Sequence, residues 1–189
     1  MQHPKSALLV IDAQESFRHR DYWSDIDAPA FFDRQQALID GAVAAGIPVV
    51  QVLHVDPDGA FALASGHVRT LAPLRIAPDV TFHKTRHSAL VGSGLHVWLT
   101  ERGIRRLIVS GIRTEQCCET TTRHASDSGF EVDFVSEATL TFAMTARDGT
   151  RWSAQDIKAR TELVLQDRFA RIATVDEALA ALQPERRAA

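Results

Sequence analysis

Three apolar runs in this chain each begin just after a glycine that closes a helical pattern, and this repeated join constrains the fold more than any other feature. Residues 31–45 carry apolar side chains at helical spacing, stop at Gly46-Ile47-Pro48, and lead into Val49-Val50-Gln51-Val52-Leu53. The same punctuation recurs at Gly103 before residues 104–109 and at Gly129 before residues 130–135. Glycine accepts the left-handed backbone that ends a helix and lets the chain turn into a sheet. The strands do not alternate: Ser6-Ala7-Leu8-Leu9-Val10-Ile11 is apolar throughout, so both faces of its sheet must be covered. Helix, glycine and buried strand repeated in this way predict an α/β fold, a wound and mostly parallel sheet with right-handed crossovers.

Further elements are expected around that frame. Val80-Thr81-Phe82-His83-Lys84 is a short strand, Ile172-Ala173 an edge strand, and residues 184–189 a frayed tail. Ser153 with Asp156, and Thr174 with Glu177, have the spacing of capping boxes that open the last two helices. Residues 57–78, with three prolines, read as a long loop or short helices of the kind that covers sites. A chain of 189 residues with 45% hydrophobic and 24% charged residues fits one domain spanning residues 1–189.

The formal net charge of −3 gives no polycation, so nucleic-acid and membrane partners are not expected. No apolar run is long enough to span a bilayer, and Met1-Gln2-His3-Pro4-Lys5 leads straight into a strand rather than a signal-peptide core. A cytoplasmic location is the corresponding expectation. The only two cysteines, Cys117 and Cys118, are adjacent, which excludes a disulfide scaffold and a zinc spacing and leaves a working thiol or a packing role.

Chemistry gathers where strands end. The first strand stops at Asp12 and the third at Lys84. Leu107-Ile108-Val109-Ser110 is followed by a glycine turn at Gly111 and a helix that opens around Cys117. Ligands of open α/β sheets collect at these carboxyl ends. A thiol at a helix N-terminus is expected to ionise more readily than a free one, and the same N–H groups can hold an oxyanion. Carboxylate, ammonium and thiol together suit amide hydrolysis by covalent catalysis. Alone, each has a plainer reading, Asp12 as a turn residue and Cys117 as a small buried hydrophobe.

Leu9-Val10-Ile11-Asp12-Ala13-Gln14-Glu15-Ser16-Phe17, Lys84-Thr85-Arg86-His87-Ser88-Ala89-Leu90 and Ser110-Gly111-Ile112-Arg113-Thr114-Glu115-Gln116-Cys117-Cys118 together resemble the isochorismatase-like cysteine hydrolases. The resemblance implies a Rossmann-like three-layer fold, helices lying on both faces of the sheet. It also implies an Asp12-Lys84-Cys117 triad, a non-proline cis peptide at Ile112-Arg113, and an oxyanion hole from the backbone N–H groups of Arg113 and Cys117. The implied reaction is hydrolysis of a small-molecule amide or ureido C–N bond through a thioester, in a homodimer or homotetramer.

Phe17, Trp23, His54 and Arg86 are expected to contact substrate, with Arg113 a further candidate for a substrate carboxylate. Cys118 is read as packing, and Glu115 and Glu119 as complements of the helix dipole. No cofactor and no metal are expected. The nicotinamidase branch of the family holds a metal with an Asp-x-His pair, but aligning its first His on His54 puts Val52 where the acid belongs. His54, Asp56, Asp58 and His67 remain as possible donors. Two rival readings are a thiol-based redox or ligand sensor and a catalytically silent interaction module on the same fold.

Overall fold

The computed structural model describes residues 5–182, so the expected tail at 184–189 and the first four residues lie outside the described residues. Six strands form one sheet in which every pairing is parallel: β1 (Lys5–Ile11), β2 (Val49–His54), β3 (Val80–Lys84), β4 (Ile104–Ile112), β5 (Glu131–Leu140) and β8 (Arg171–Ile172). Their spatial order is β3-β2-β1-β4-β5-β8. A two-residue ribbon, β6 (Met144–Thr145) against β7 (Arg151–Trp152), stands apart from it.

Side chains of β1 divide between two cores: Leu8 and Val10 meet α1 (Ala28–Ala44) and α5 (Val175–Ala180), while Ala7, Leu9 and Ile11 face the other layer. That layer holds α2 (Leu95–Glu101), α3 (Glu119–Asp127) and α4 (Ala154–Leu165). Burial on both faces explains the unbroken apolar runs and gives the three layers. The three predicted helix-to-strand glycines all have positive φ. Both capping boxes form, each with its two reciprocal hydrogen bonds. Among the described residues, no helix is long and apolar enough to cross a membrane.

Several boundaries differ from expectation. Helix α1 begins at Ala28, three residues before the apolar pattern, because Pro29 is tolerated in a first turn whose N–H groups are unpaired anyway. Strand β5 continues through the polar residues Ser136 to Thr139. Their hydroxyls are satisfied inside: Thr139 Oγ1 donates to the Ser136 carbonyl at 2.8 Å and lies 2.7 Å from Thr114 Oγ1. Gly111 is not a turn but part of β4, paired with Ile11 and at φ 121°. A Cβ there would stand 1.9 Å from the Ile11 carbonyl oxygen, so only glycine lets β4 run this close to the end of β1.

Candidate active site

The two central strands and their neighbours end together. The Asp12 N–H donates to the Val52 carbonyl at 2.7 Å, and Val55 N–H to the Lys84 carbonyl at 2.8 Å, which ties the ends of β1, β2 and β3 in one row. Gln14, fully buried, clamps this row: its Oε1 accepts from the His54 N–H at 2.7 Å, and its Nε2 donates to the His54 carbonyl at 3.0 Å. Asp12 itself has φ 51°, a left-handed turn that aspartate tolerates better than most residues. After β4 the Ile112-Arg113 peptide is cis, and a π-helical turn, Thr114–Cys118, carries Cys117 into α3. Cys117 therefore sits within a wide turn, just ahead of the regular α-helix that starts at Glu119.

These elements bring Asp12, Lys84 and Cys117 together. Lys84 Nζ lies 2.7 Å from Asp12 Oδ2 and 3.3 Å from Cys117 Sγ. It also lies 3.0 Å from the Arg86 carbonyl and 3.0 Å from His54 Nδ1. An ammonium has three protons and no lone pair, so His54 Nδ1 must be an acceptor; its Nε2–H then donates to Asp56 Oδ1 at 2.9 Å. Asp12 Oδ1 is buried without a hydrogen-bond partner, and a carboxylate oxygen of Asp12 lies within 4.8 Å of Cys117 Sγ.

The electrostatics correct one expectation. Burial pushes the Cys117 thiol up, the Asp12 carboxylate pushes it further, and Lys84 pulls the other way without cancelling them. The thiol is 7% exposed, and the loss of a thiolate's hydration there is the largest of these effects. Burial likewise holds the Asp12 carboxyl above its ordinary range despite Lys84. Burial works against the Lys84 charge, but Asp12 and Cys117 together hold its pKa above the usual lysine value. The resting site is thus an ammonium between a carboxylate whose affinity for a proton is raised and a thiol that holds its own.

A cleft of about 330 Å³ opens over this cluster. Of the residues expected to meet substrate, Phe17, His54 and Arg86 line it. Trp23 does not: its ring packs on Phe142 at 5.3 Å and its Nε1–H donates to Asp25. Tyr22 takes that place, along with Arg20, Phe61 and His87, whose Nδ1 is 3.9 Å from Cys117 Sγ. The Arg113 side chain is also turned away, buried on Glu115 at 2.9 Å and lying 4.8 Å from the Tyr22 ring centre. Glu115 and Glu119 do more than complement a dipole. Glu115 also accepts from Thr141 Oγ1 at 2.6 Å, while Glu119 binds Arg123, Arg160 and Thr161 and so ties α3 to α4. Cys118 is fully buried in the core beneath α3, as a packing residue should be.

Asp12, His54 and Cys117 offer a carboxylate, an imidazole and a thiol within 4.8 Å of one another, a donor set zinc accepts. The Lys84 ammonium already stands among them, and both ring nitrogens of His54 are engaged. His67 stacks on His19 at 3.7 Å between ring centres instead of joining His54. The residues present do not fit the metal of the nicotinamidase branch.

Comparison with known proteins agrees with this geometry. The isochorismatase domain profile matches residues 6–177. A solved structure of a Burkholderia xenovorans LB400 protein assigned as an isochorismatase superposes with a TM-score of 0.87 at 35% identity, covering 96% of this chain and 89% of that one. An uncharacterised isochorismatase-family protein of Bacillus subtilis, YrdC, is 26% identical over 177 residues, 92% of this chain and 94% of its own. Nicotinamidase 3 of Arabidopsis thaliana is 38% identical over 73 residues, 39% of this chain and 37% of its own. A profile match over nearly the whole chain, on a sheet that gathers Asp12, Lys84 and Cys117 at its carboxyl edge, establishes that the chain belongs to the isochorismatase-like hydrolase family.

Proposed function

We propose that the protein is a cysteine-dependent hydrolase that cleaves a small-molecule amide or ureido C–N bond through a thioester. The observation that carries the reading is the contact of one buried ammonium, Lys84, with both Asp12 at 2.7 Å and Cys117 at 3.3 Å. The nicotinamidase likeness, though local, supports amide chemistry.

Asp12 takes the thiol proton as Cys117 Sγ attacks the substrate carbonyl. Because the thiol is held above its ordinary pKa, proton transfer accompanies attack rather than preceding it. Lys84 stays charged and offsets the negative charge as it moves from carboxylate to sulfur. The tetrahedral oxyanion is received by the backbone N–H groups of Arg113 and Cys117. Asp12 then returns the proton to the leaving nitrogen, the C–N bond breaks, and a thioester on Cys117 remains. Water, deprotonated by Asp12, attacks the thioester, releasing the carboxylic acid and restoring the thiol.

The test is turnover on a panel of amides and ureido compounds, with intact-mass spectrometry to trap the acyl-enzyme. Cys117→Ala should lower kcat by about a thousandfold or more and abolish the adduct, while Cys118→Ala keeps both. Turnover retained in Cys117→Ala would overturn the assignment. The sensor reading is disfavoured by the burial of both thiols and by pKa values pushed upward, since oxidation-sensitive cysteines are exposed thiolates.

A further inference from the structure

Two nitrogens reach the Cys117 sulfur, and they differ in setting. Lys84 Nζ, at 3.3 Å, belongs to a buried ammonium. His87 Nδ1, at 3.9 Å, belongs to an exposed ring at the mouth of the cleft. Among the described residues the sulfur is the only hydrogen-bonding contact of that ring. The other imidazole of the cleft is fully committed, His54 Nδ1 to Lys84 and Nε2 to Asp56. Ammonium and guanidinium groups carry no lone pair, so Lys84, Arg20 and Arg86 cannot accept a hydrogen bond. Asp12 Oδ1, by contrast, is buried with no hydrogen-bond partner.

Exposed side chains usually wander, but the backbone beneath His87 is pinned on both sides. The Arg86 carbonyl just before it accepts from Lys84 Nζ at 3.0 Å. Just after it, Ser88 Oγ lies 2.9 Å from His124 Nδ1, and the Ala89 N–H donates to Thr121 Oγ1 at 2.9 Å. Thr121 and His124 both stand on α3, the helix that follows the Cys117 turn. The loop that carries the ring is thus fastened to Lys84 at one end and to the helix behind the nucleophile at the other. Groups held in this way keep a working geometry.

A thioester on Cys117 needs a water, and the water needs aiming. When acceptors take up both its protons, its lone pairs are left to face the carbonyl carbon. Water enters where the leaving nitrogen departed, because Asp12 serves both. At about 3 to 3.5 Å from the acyl carbon, the usual separation before attack, that water can reach a ring nitrogen 3.9 Å from the sulfur carrying the carbon.

We propose that His87 holds the hydrolytic water against the thioester, accepting a hydrogen bond from one of its protons while Asp12 removes the other. This rests on the thioester reading of Cys117. The water oxygen bonds to the acyl carbon as its proton passes to Asp12 and the carbonyl electrons move onto the oxyanion. The C–S bond then breaks, sulfur takes the proton back from Asp12, and the carboxylic acid leaves. His87 neither gains nor loses a proton. During acylation the leaving nitrogen fills the place of the water, so His87 is needed for the second half of the cycle and not for the first.

The experiment separates the two halves with p-nitrophenyl acetate, whose nitrophenolate burst times acylation, while intact-mass spectrometry times loss of the acetyl adduct. Cys117→Ala supplies the blank. His87→Ala should leave the burst rate within about twofold and slow adduct loss about tenfold, the worth of one hydrogen bond to the attacking water. On an amide limited by deacylation, kcat and KM should fall together and kcat/KM should hold. His87→Asn, which offers an oxygen near the place of Nδ1, should recover part of the lost rate. Adduct loss unchanged in His87→Ala, equal slowing of both phases, or an asparagine variant no better than alanine overturns the proposal. If every amide and ureido compound is inert while the ester adduct turns over and depends on His87, the amidase is rejected and the water site stands. No adduct on Cys117 from ester or amide rejects both.

Discussion

Asp12, Lys84 and Cys117 at the floor of the cleft are each less than a tenth exposed, whereas Arg20, Arg86 and His87 at its rim are all exposed. Asp12 and Lys84 stand on or directly beside strand ends tied by main-chain hydrogen bonds and the Gln14 clamp, and Cys117 stands on the π-helical turn that follows β4. The rim groups come from the segment that leaves β1 and the loop that leaves β3. The difference teaches where the fold spends its rigidity. The floor groups are fixed by the sheet and the turn that follows it, while the exposed groups at the rim can change without disturbing either.

Substitutions at the floor should therefore damage fold and chemistry together, and the most severe touches no reacting atom. Gly111→Ala places a Cβ against the Ile11 carbonyl, at a positive φ that alanine rarely adopts. It should cost more than about 4 kcal/mol in denaturant unfolding or prevent accumulation of folded protein. Wild-type stability in that variant would break the contrast at its base.

Lys84→Met comes next, since it leaves a buried carboxylate without its cation. A loss of about 3–5 kcal/mol is expected, with turnover falling alongside. The same groups set a pH dependence. Lys84 and Cys117 both have folded pKa values above their ordinary ones, so each favours the folded state at lower pH and loses that contribution as pH rises through its folded value. Wild-type stability should fall from about pH 9 upward, and a Lys84→Met, Cys117→Ala double variant should show a flatter alkaline limb in the same melts.

His54 sits between floor and rim, and replacing it sharpens the comparison. His54→Ala removes an acceptor from the Lys84 ammonium and should reduce kcat about tenfold to a hundredfold, with KM changing less. His54→Asn, which can offer an oxygen near the place of Nδ1, should recover part of kcat. Equal damage from both would mean that the ring serves packing and not the hydrogen bond. The smallest effect belongs far from the cleft. Thr174→Ala removes the N-cap of α5 and should cost about 1 kcal/mol with unchanged kinetics.

The same contrast governs what could be read from the residues alone. Buried strands ending in Asp12 and Lys84, and a loop leading to Cys117, leave a signal because apolar runs and their punctuation are local. The strand through Ser136-Glu137-Ala138-Thr139 left none, because its hydroxyls are paired by Glu162 and Thr114, side chains that only the fold brings to it. Choosing Tyr22 over Trp23 for the cleft depends on how the chain leaves a single 3-10 turn, Glu15–His19, where no periodicity distinguishes adjacent residues. The upward pull on the Cys117 thiol was hidden for a different reason. Helix position can be inferred from sequence, but desolvation depends on everything packed around the sulfur.

Lys84 has four acceptors within reach and only three protons to give. In the proposed reaction the acylated sulfur accepts more weakly than the resting thiol, so acylation of Cys117 loosens its share of the ammonium, and His54 Nδ1, already an acceptor, takes the larger part. The imidazole becomes a built-in reporter of the covalent state. Its ring-nitrogen NMR frequency should step between two values as the enzyme is loaded and discharged, turning a chemically silent intermediate into one that can be timed.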